Sequence, residues 1–140
     1  MVSNQEGNYK GPIGSGPYWK LLGMKVETLQ PGYARLAMPI KPDLLQSQGQ
    51  VHGGAISSIV DASVAAAVAG TLAPDERATT VEMKLNYLAP IKEGEVIAIG
   101  KLIKRGKTLA IGTSEVTDEA GKIISYGMVT YMIMKRTPIE

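Results

Sequence analysis

The sequence predicts one α+β domain in which a long buried helix is wrapped by a curved antiparallel sheet. Three observations carry this prediction: a hairpin pattern in residues 24–40, an almost unbroken apolar run in residues 53–69, and four strand-like segments after it. A helix that is apolar on nearly all sides must be buried, and one antiparallel sheet can cover it. A length of 140 residues suits a single core of this size.

The N-terminal part predicts a flexible arm followed by a short helix. Residues 1–13 are polar and glycine-rich and have no apolar stretch of the kind found in secretory signals. The domain is therefore expected over residues 14–140. Pro17 suits the first position of a helix and Gly23 its end, and we expect Trp19 and the neighbouring leucines to dock this helix.

A β-hairpin is predicted next. Residues 24–30 and 33–40 have strand patterns, and Pro31-Gly32 between them is a turn signal. The alternation of the first strand breaks at Leu29, which falls on the charged face. An irregular segment then leads into the long helix.

The helix is predicted from about Gly53 or Gly54 to Ala69, with many alanines and with Gly70 as its end. Four strands should follow, at residues 78–88, 95–104, 108–117 and 123–135. Short turns join the last three strands, which predicts an antiparallel meander. In the first of the four, strict alternation puts Val81, Met83, Leu85 and Tyr87 on one face.

Composition excludes several classes of function. The net charge is +2 and charged residues make up 20%, which argues against general nucleic-acid binding. The chain has no cysteine and one histidine, so disulfides, thiolate chemistry and a His-rich metal site within one subunit are excluded. A membrane span through residues 44–74 is disfavoured because the run is rich in Ala, Gly and Ser and has Asp61 in its middle.

The start of the helix carries the first candidate site. The only histidine, His52, is followed by Gly53 and Gly54. Glycines at a helix start expose backbone N–H groups and let a ligand approach. The positive end of the helix dipole points there as well, which is how a carbonyl oxygen that gains negative charge is stabilised. The alternative is a histidine that only caps the helix.

Asp61 is the second candidate, since it stands mid-helix with no Lys or Arg within one turn. Burial of an unpartnered carboxylate is unfavourable. Asp61 is therefore either a general base or nucleophile in an apolar wall, or a carboxylate that bonds a backbone group or faces a wet groove. His52 lies nine residues away, roughly half a turn out of phase and ~13 Å along the axis. If both act on one substrate, we expect them to come from different subunits related by a two-fold axis.

These residues form an ordered set that resembles a known family. Gln46, Gly49, Val51, His52, Gly53 and Gly54, with Asp61 nine positions after the histidine, resemble the hotdog-fold acyl-CoA thioesterases of the phenylacetic-acid-degradation (PaaI-like) type. Residues 80–90, TVEMKLNYLAP, are similar to the strand that follows in that family, and the turn at residues 106–108 fits as well. The resemblance covers roughly residues 20–135.

The resemblance implies a hotdog fold and a dimer whose two sheets join, often doubled to a tetramer, with sites at the dimer interface. It implies that the Gly53 N–H polarises the thioester carbonyl, that His52 orients this region and that Gln46 holds the thioester or a water. Asp61, from the partner subunit, would be the base or nucleophile. Thr80 would position water, the alternative being an ordinary β-branched strand residue.

A basic turn follows later in the chain. Lys104, Arg105 and Lys107 surround Gly106. Such a turn can be only a solvated tip. By the resemblance it lies near the nucleotide end of coenzyme A, whose phosphates suit Arg and Lys.

We therefore expect a cytoplasmic hydrolase that converts an acyl-CoA thioester to a free acid and coenzyme A, without metal or further cofactor. It should self-associate as a dimer or tetramer and bind neither nucleic acid nor membrane. One alternative is a non-catalytic acyl-CoA binding or sensing module. Another is a hotdog dehydratase, which is expected to carry its own His-based pattern on the helix.

Overall fold

The computed structural model describes residues 12–136, which form two α-helices and six β-strands. Every predicted strand is present, with ends within two residues of the prediction. The arm expected over residues 1–13 lies outside the described residues, apart from Pro12 and Ile13 in a turn that leads into the first helix. The elements in chain order are α1 (Pro17–Leu22), β1 (Lys25–Gln30), β2 (Tyr33–Pro39), α2 (Gly53–Ala69), β3 (Glu76–Tyr87), β4 (Glu95–Arg105), β5 (Leu109–Thr117) and β6 (Ile123–Lys135).

All described strands belong to one antiparallel sheet in the order β1-β2-β4-β5-β6-β3. The predicted hairpin is β1–β2 and the predicted meander is β4–β5–β6. β3, which follows the helix in the chain, pairs with β6 and forms one edge of the sheet. This single sheet around one long helix confirms the hotdog architecture.

Helix α2 begins at Gly53 and ends at Ala69, as its pattern predicts, and Gly70 follows as the C-cap. Ten of its residues are buried, nearly all of them Ala, Val or Ile. The helix can lie close to the sheet because β4 carries Gly100 beneath it: a Cβ at that position would lie 2.2 Å from the Ser63 carbonyl oxygen. The Ser63 hydroxyl, which is fully buried, donates to Ser114 Oγ on β5 at 2.7 Å.

Helix α1 is short and is docked in part as predicted. Trp19 and Leu22 pack against the core, but Leu21 is 66% exposed. Polar contacts also hold the helix: Lys41 Nζ donates to the Leu21 carbonyl at 2.6 Å, and the Tyr18 and Ser58 hydroxyls lie 2.8 Å apart. The helix ends at Gly23, which adopts a left-handed conformation with φ of 78°.

Four of the described strand pairings contain a register shift, and two of these shifts, β-bulges in β1 and β3, bear on the predicted alternation. One lies in β1 between Val26 and Thr28, near the break at Leu29. The other lies in β3 between Thr80 and Glu82 and leaves Val81 49% exposed. Because the second bulge inserts one residue, Thr80 lies on the same inner face as Met83 and Leu85. Strict alternation puts Thr80 on the opposite face from these two residues.

No helix among residues 12–136 is both long and apolar enough to span a membrane.

Candidate active site

The N-terminus of α2 is capped by His52. Its Nδ1 accepts a hydrogen bond from the Gly54 N–H at 2.7 Å, which leaves the ring proton on Nε2. The carbonyl of His52 accepts the N–H groups of Ala55 and Ile56. Within the described chain, the Gly53 N–H has no acceptor. The cap therefore satisfies the second amide of the helix and leaves the first one free at the positive end of the dipole.

Tyr87 on β3 completes this end of the helix. Its hydroxyl donates to the Gly53 carbonyl at 2.9 Å, and its ring lies where a Gly53 side chain would begin, 3.0 Å from an ideal Cβ. The same peptide unit carries the Gly54 N–H that bonds His52. Tyr87 was expected on one face of its strand with Val81, Met83 and Leu85, but not in a site. The available signal in the sequence was a hydroxyl-bearing side chain at the end of this otherwise apolar row.

Gln46 approaches the helix start from the preceding loop. This loop is closed by bonds from the Gln46 N–H to the Gln50 carbonyl at 2.8 Å and from the Gly49 N–H to the Gln46 carbonyl at 3.0 Å. The Gln46 Oε1 accepts the Gln48 N–H. Its Nε2 group is therefore left as a donor.

A cavity of about 570 Å³ lies at this end of the helix. Gln46, His52, Gly53 and Tyr87, named here the amide half-site, line it together with apolar residues such as Pro90 and Ile91. The half-site therefore places hydrogen-bond donors beside apolar residues.

Asp61 lies in a different environment, against the sheet. Its Oδ1 accepts the Thr80 hydroxyl at 2.9 Å and also the Tyr131 hydroxyl, which in addition lies 2.8 Å from the Asp61 main-chain carbonyl. Thr80 and Tyr131 are direct cross-strand partners on β3 and β6. Burial, and after it the Asp61 carboxylate, hold the pKa of Tyr131 above its ordinary value. Tyr131 is therefore a hydrogen-bond donor to Asp61 at neutral pH.

We name Asp61, Thr80 and Tyr131 the carboxylate half-site. They line a cavity of about 390 Å³ that Tyr18 and Trp19 of α1 also line. Among the described residues, Asp61 makes no ion pair. Hydroxyl groups thus partner one carboxylate oxygen, and Oδ2 has no described partner in the cavity. Ser57 and Ser58 line it too, but their hydroxyls donate to the Gly54 carbonyl.

The two half-sites do not meet within one chain. No described residue lines both cavities, in agreement with the half-turn phase difference between His52 and Asp61. Thr80, predicted from the family resemblance, lies beside Asp61. Tyr131 was not predicted. The available signal was a tyrosine in an inward row of β6 that otherwise holds small or aliphatic residues.

The basic turn between β4 and β5 lies away from both cavities. Arg105 is half-buried and bonds the loop after α2: Nη2 donates to Glu76 Oε1 at 2.7 Å, and Nε to Thr71 Oγ1 at 3.2 Å. The Ala73 N–H first, and then Arg105, hold the pKa of Glu76 below its ordinary value. Lys104 and Lys107 are exposed. Arg105 therefore anchors the fold, and the lysines carry the accessible charge of the turn.

No group of three or more His, Cys, Asp or Glu side chains within residues 12–136 is arranged to hold a metal ion. The chemical groups present are a free helix-terminal amide and a carboxylate held by hydroxyls. In general, a helix-terminal amide can stabilise an oxyanion, and a carboxylate can activate water or attack a carbonyl. The class of enzymes that transfer an acyl group to water uses groups of these two kinds.

Comparison with known proteins agrees with this class. The thioesterase superfamily pattern matches residues 48–125. A candidate esterase of Saccharolobus solfataricus is 30% identical over 122 residues, covering 87% of this chain and 81% of the relative. The medium/long-chain acyl-CoA thioesterase YigI of Escherichia coli is 26% identical over 132 residues, covering 84% and 85%. A solved structure of a single-residue mutant of the phenylacetic acid degradation protein PaaI from Thermus thermophilus superposes with a TM-score of 0.77 at 27% identity, covering 87% and 100%.

The chain therefore belongs to the thioesterase superfamily. It is accordingly placed among the thioester hydrolases.

Proposed function

We propose that this protein hydrolyses acyl-CoA thioesters to a free acid and coenzyme A in the cytoplasm, with no cofactor beyond the coenzyme A of its substrate. The observation that carries the proposal is the pairing of an unoccupied Gly53 N–H at a helix start with an Asp61 carboxylate held by two hydroxyls. YigI, whose name gives it acyl-CoA substrates, supports this choice of thioester.

The active unit is a dimer in this proposal. The amide half-site of one subunit faces the carboxylate half-site of its partner, because within one chain the two line separate cavities. β3 is an edge strand with unpaired backbone groups and a half-exposed Val81, so a second β3 can extend the sheet across a two-fold axis. Two such dimers can form the tetramer that the family resemblance implies.

Catalysis begins with the thioester carbonyl oxygen at the Gly53 N–H, beside the donor groups of His52 and Gln46. Negative charge that develops on this oxygen is stabilised by the amide and the helix dipole. Asp61 of the partner subunit either takes a proton from an attacking water or attacks the carbonyl carbon itself. In the first case the C–O bond to water forms, the C–S bond breaks, and the proton passes to the sulfur. In the second, the bond from Asp61 to the carbonyl carbon forms as the C–S bond breaks, so coenzyme A leaves as a thiolate and an acyl-aspartate anhydride remains. Water then cleaves this anhydride to the free acid and the Asp61 carboxylate, and the proton that the water loses passes to the thiolate.

Lys104, Arg105 and Lys107 are proposed to contact the phosphates of coenzyme A. The exposed ammonium groups of Lys104 and Lys107 are the better placed of the three, because the Arg105 guanidinium is engaged with Glu76 and Thr71.

The test is a hydrolysis panel. Release of free thiol from acyl-CoAs of graded chain length and from aromatic acyl-CoAs is measured for the wild-type protein and for Asp61→Asn. The substitution keeps the shape but removes the negative charge, so we expect kcat to fall by about 10²–10⁴-fold while substrate binding survives. Asp43→Asn, the same change at an exposed position, is the matched control and should be fully active.

A fully active Asp61→Asn would contradict the mechanism. Binding of acyl-CoA by the wild-type protein without any turnover would instead favour the non-catalytic binding module.

A further inference from the structure

A second cavity continues from the Asp61 cavity along α2, and the two share a wall. It has a volume of about 340 Å³. Both cavities are lined by Trp19, Ala65, Ala78 and Tyr131, and only the second extends to Val68, Ala69 and Leu72 near the C-terminal end of the helix. The four shared residues therefore separate the cavity that holds the carboxylate from the one behind it.

Trp19 is the part of this wall that can close or open the passage. Ala65 and Ala78 are small, and Tyr131 is 3% exposed and bonded to Asp61. The Trp19 indole comes from α1 and packs against the backbone of the preceding turn, 3.8 Å from an ideal Cβ at Gly16 and 3.9 Å from one at Gly14. It is the largest side chain in the wall and belongs to neither the long helix nor the sheet.

The surface behind Trp19 suits an apolar ligand. On the α2 side it consists of Ala65, Val68, Ala69 and Leu72. Arg77 and Arg136 also line this cavity, and the long stems of such side chains can pack against apolar groups. A hydrocarbon chain that passed the Trp19 position would find apolar contacts along one whole wall.

We propose that Trp19 sets the upper length of the acyl group by closing the Asp61 cavity at its far end. This rests on the proposed function, in which the acyl carbonyl lies next to Asp61. The acyl group then fills the cavity of about 390 Å³ and stops at the indole. Replacement of Trp19 by a small residue joins this cavity to the one behind it, and longer acyl groups are accepted.

The experiment compares wild type, Trp19→Phe and Trp19→Ala on straight-chain acyl-CoAs of increasing length. One or a few methylene groups in a fitted pocket change kcat/KM by roughly 10–200-fold. For each protein, kcat/KM for chains too long for the first cavity is divided by kcat/KM for the shortest chain. We expect this ratio to be at least about tenfold higher in Trp19→Ala than in wild type. Trp19→Phe should give a smaller rise. Leu21→Ala, on the exposed side of the same helix, is the matched control and should keep the wild-type profile.

Ala69 offers an independent check because it lines only the cavity behind the indole. Ala69→Leu alone should leave the length profile unchanged, since the wild-type substrate does not reach it. In the Trp19→Ala background the same change should remove most of the gain for long chains. A gain that survives Ala69→Leu would place the long chains elsewhere and overturn the proposal.

Binding is measured in parallel with non-hydrolysable acyl-CoA thioethers of the same lengths. If the wild-type protein hydrolyses no acyl-CoA, the proposed function fails, and the thioether affinities still show whether Trp19 limits length. If it hydrolyses acyl-CoAs but the profiles of wild type, Trp19→Phe and Trp19→Ala coincide, the Trp19 proposal fails while the function stands. Should Trp19→Ala fail to fold, the Trp19→Phe profile decides alone.

Discussion

The amide half-site and the carboxylate half-site are both built around helix α2, but contacts of different range along the chain hold them. His52 bonds Gly54, two residues away, and the loop of Gln46 closes on itself within five residues. Asp61 is held by hydroxyls that lie 19 and 70 residues away in the chain. One half-site is therefore built mostly by local geometry, and the other forms only when β3 and β6 pair beside the helix.

This difference has a functional consequence. A helix start positions its amides as soon as the helix forms, whereas the orientation of Asp61 depends on the register of two distant strands. The bulge at Val81 is part of that register, because it puts Thr80 on the inner face opposite Tyr131. We expect substitutions in the two half-sites to differ in how they affect activity, stability and pH dependence.

Mixing inactive subunits tests whether the two half-sites combine across chains, and it should give the largest effect. His52→Ala and Asp61→Ala should each remove most of the activity, because each damages every site in its own homodimer. Random exchange makes half of the dimers hybrids, and each hybrid has one intact site, so recovery should approach about a quarter of the wild-type rate.

Labelled subunits must show that exchange has occurred, and two separate batches of His52→Ala mixed together serve as the control. Exchange without recovered activity would mean that both half-sites act within one subunit.

The sequence was sufficient to predict the local features. The apolar run in residues 53–69, the glycines before it and the turns between strands predict the helix, its start and the meander, because each depends on neighbouring residues. The half-turn phase between His52 and Asp61 also follows from helix geometry alone. The face of Thr80 did not follow, since a bulge depends on the partner strand. Nor did Tyr131, whose contact with Asp61 requires the full topology, or the exposure of Leu21.

Gly54→Ala tests the local construction of the amide half-site. A Cβ at this position would lie 2.9 Å from the His52 Nδ1, so the imidazole must move and the cap bond is lost. Activity should fall by about 10–10²-fold as the donors around Gly53 lose their alignment. The free energy of unfolding should change little, because loss of a cap costs about 1 kcal/mol and replacement of glycine by alanine within a helix returns a similar amount.

Thiol-release kinetics and thermal denaturation of the same preparation check this pair of outcomes. A large fall in melting temperature together with the fall in activity would show that the cap is structural rather than part of the site.

Tyr131→Phe tests the long-range construction of the carboxylate half-site and should give the smallest effect. Removal of the hydroxyl takes one donor from the Asp61 carboxylate, and such a bond to a charged group contributes about 1.5–3 kcal/mol. We therefore expect kcat to be about tenfold lower at neutral pH, with KM nearly unchanged. Tyr126→Phe is the matched control, since it makes the same change on the outer face of the same strand, where the side chain is 45% exposed.

The stability of the same variants supplies a second, independent measurement. The pKa of Tyr131 is raised in the folded protein, so its contribution to stability is fully present below the ordinary tyrosine pKa of about 10 and decreases as the pH rises past that value, where the unfolded chain ionises first. The free energy of unfolding of wild type and Tyr126→Phe should therefore decline above this pH, and that of Tyr131→Phe should decline less. A kcat that stays at the wild-type value in Tyr131→Phe would show that Thr80 alone holds the carboxylate, whereas a fall in kcat in both tyrosine variants would mean that the effect does not come from contact with Asp61.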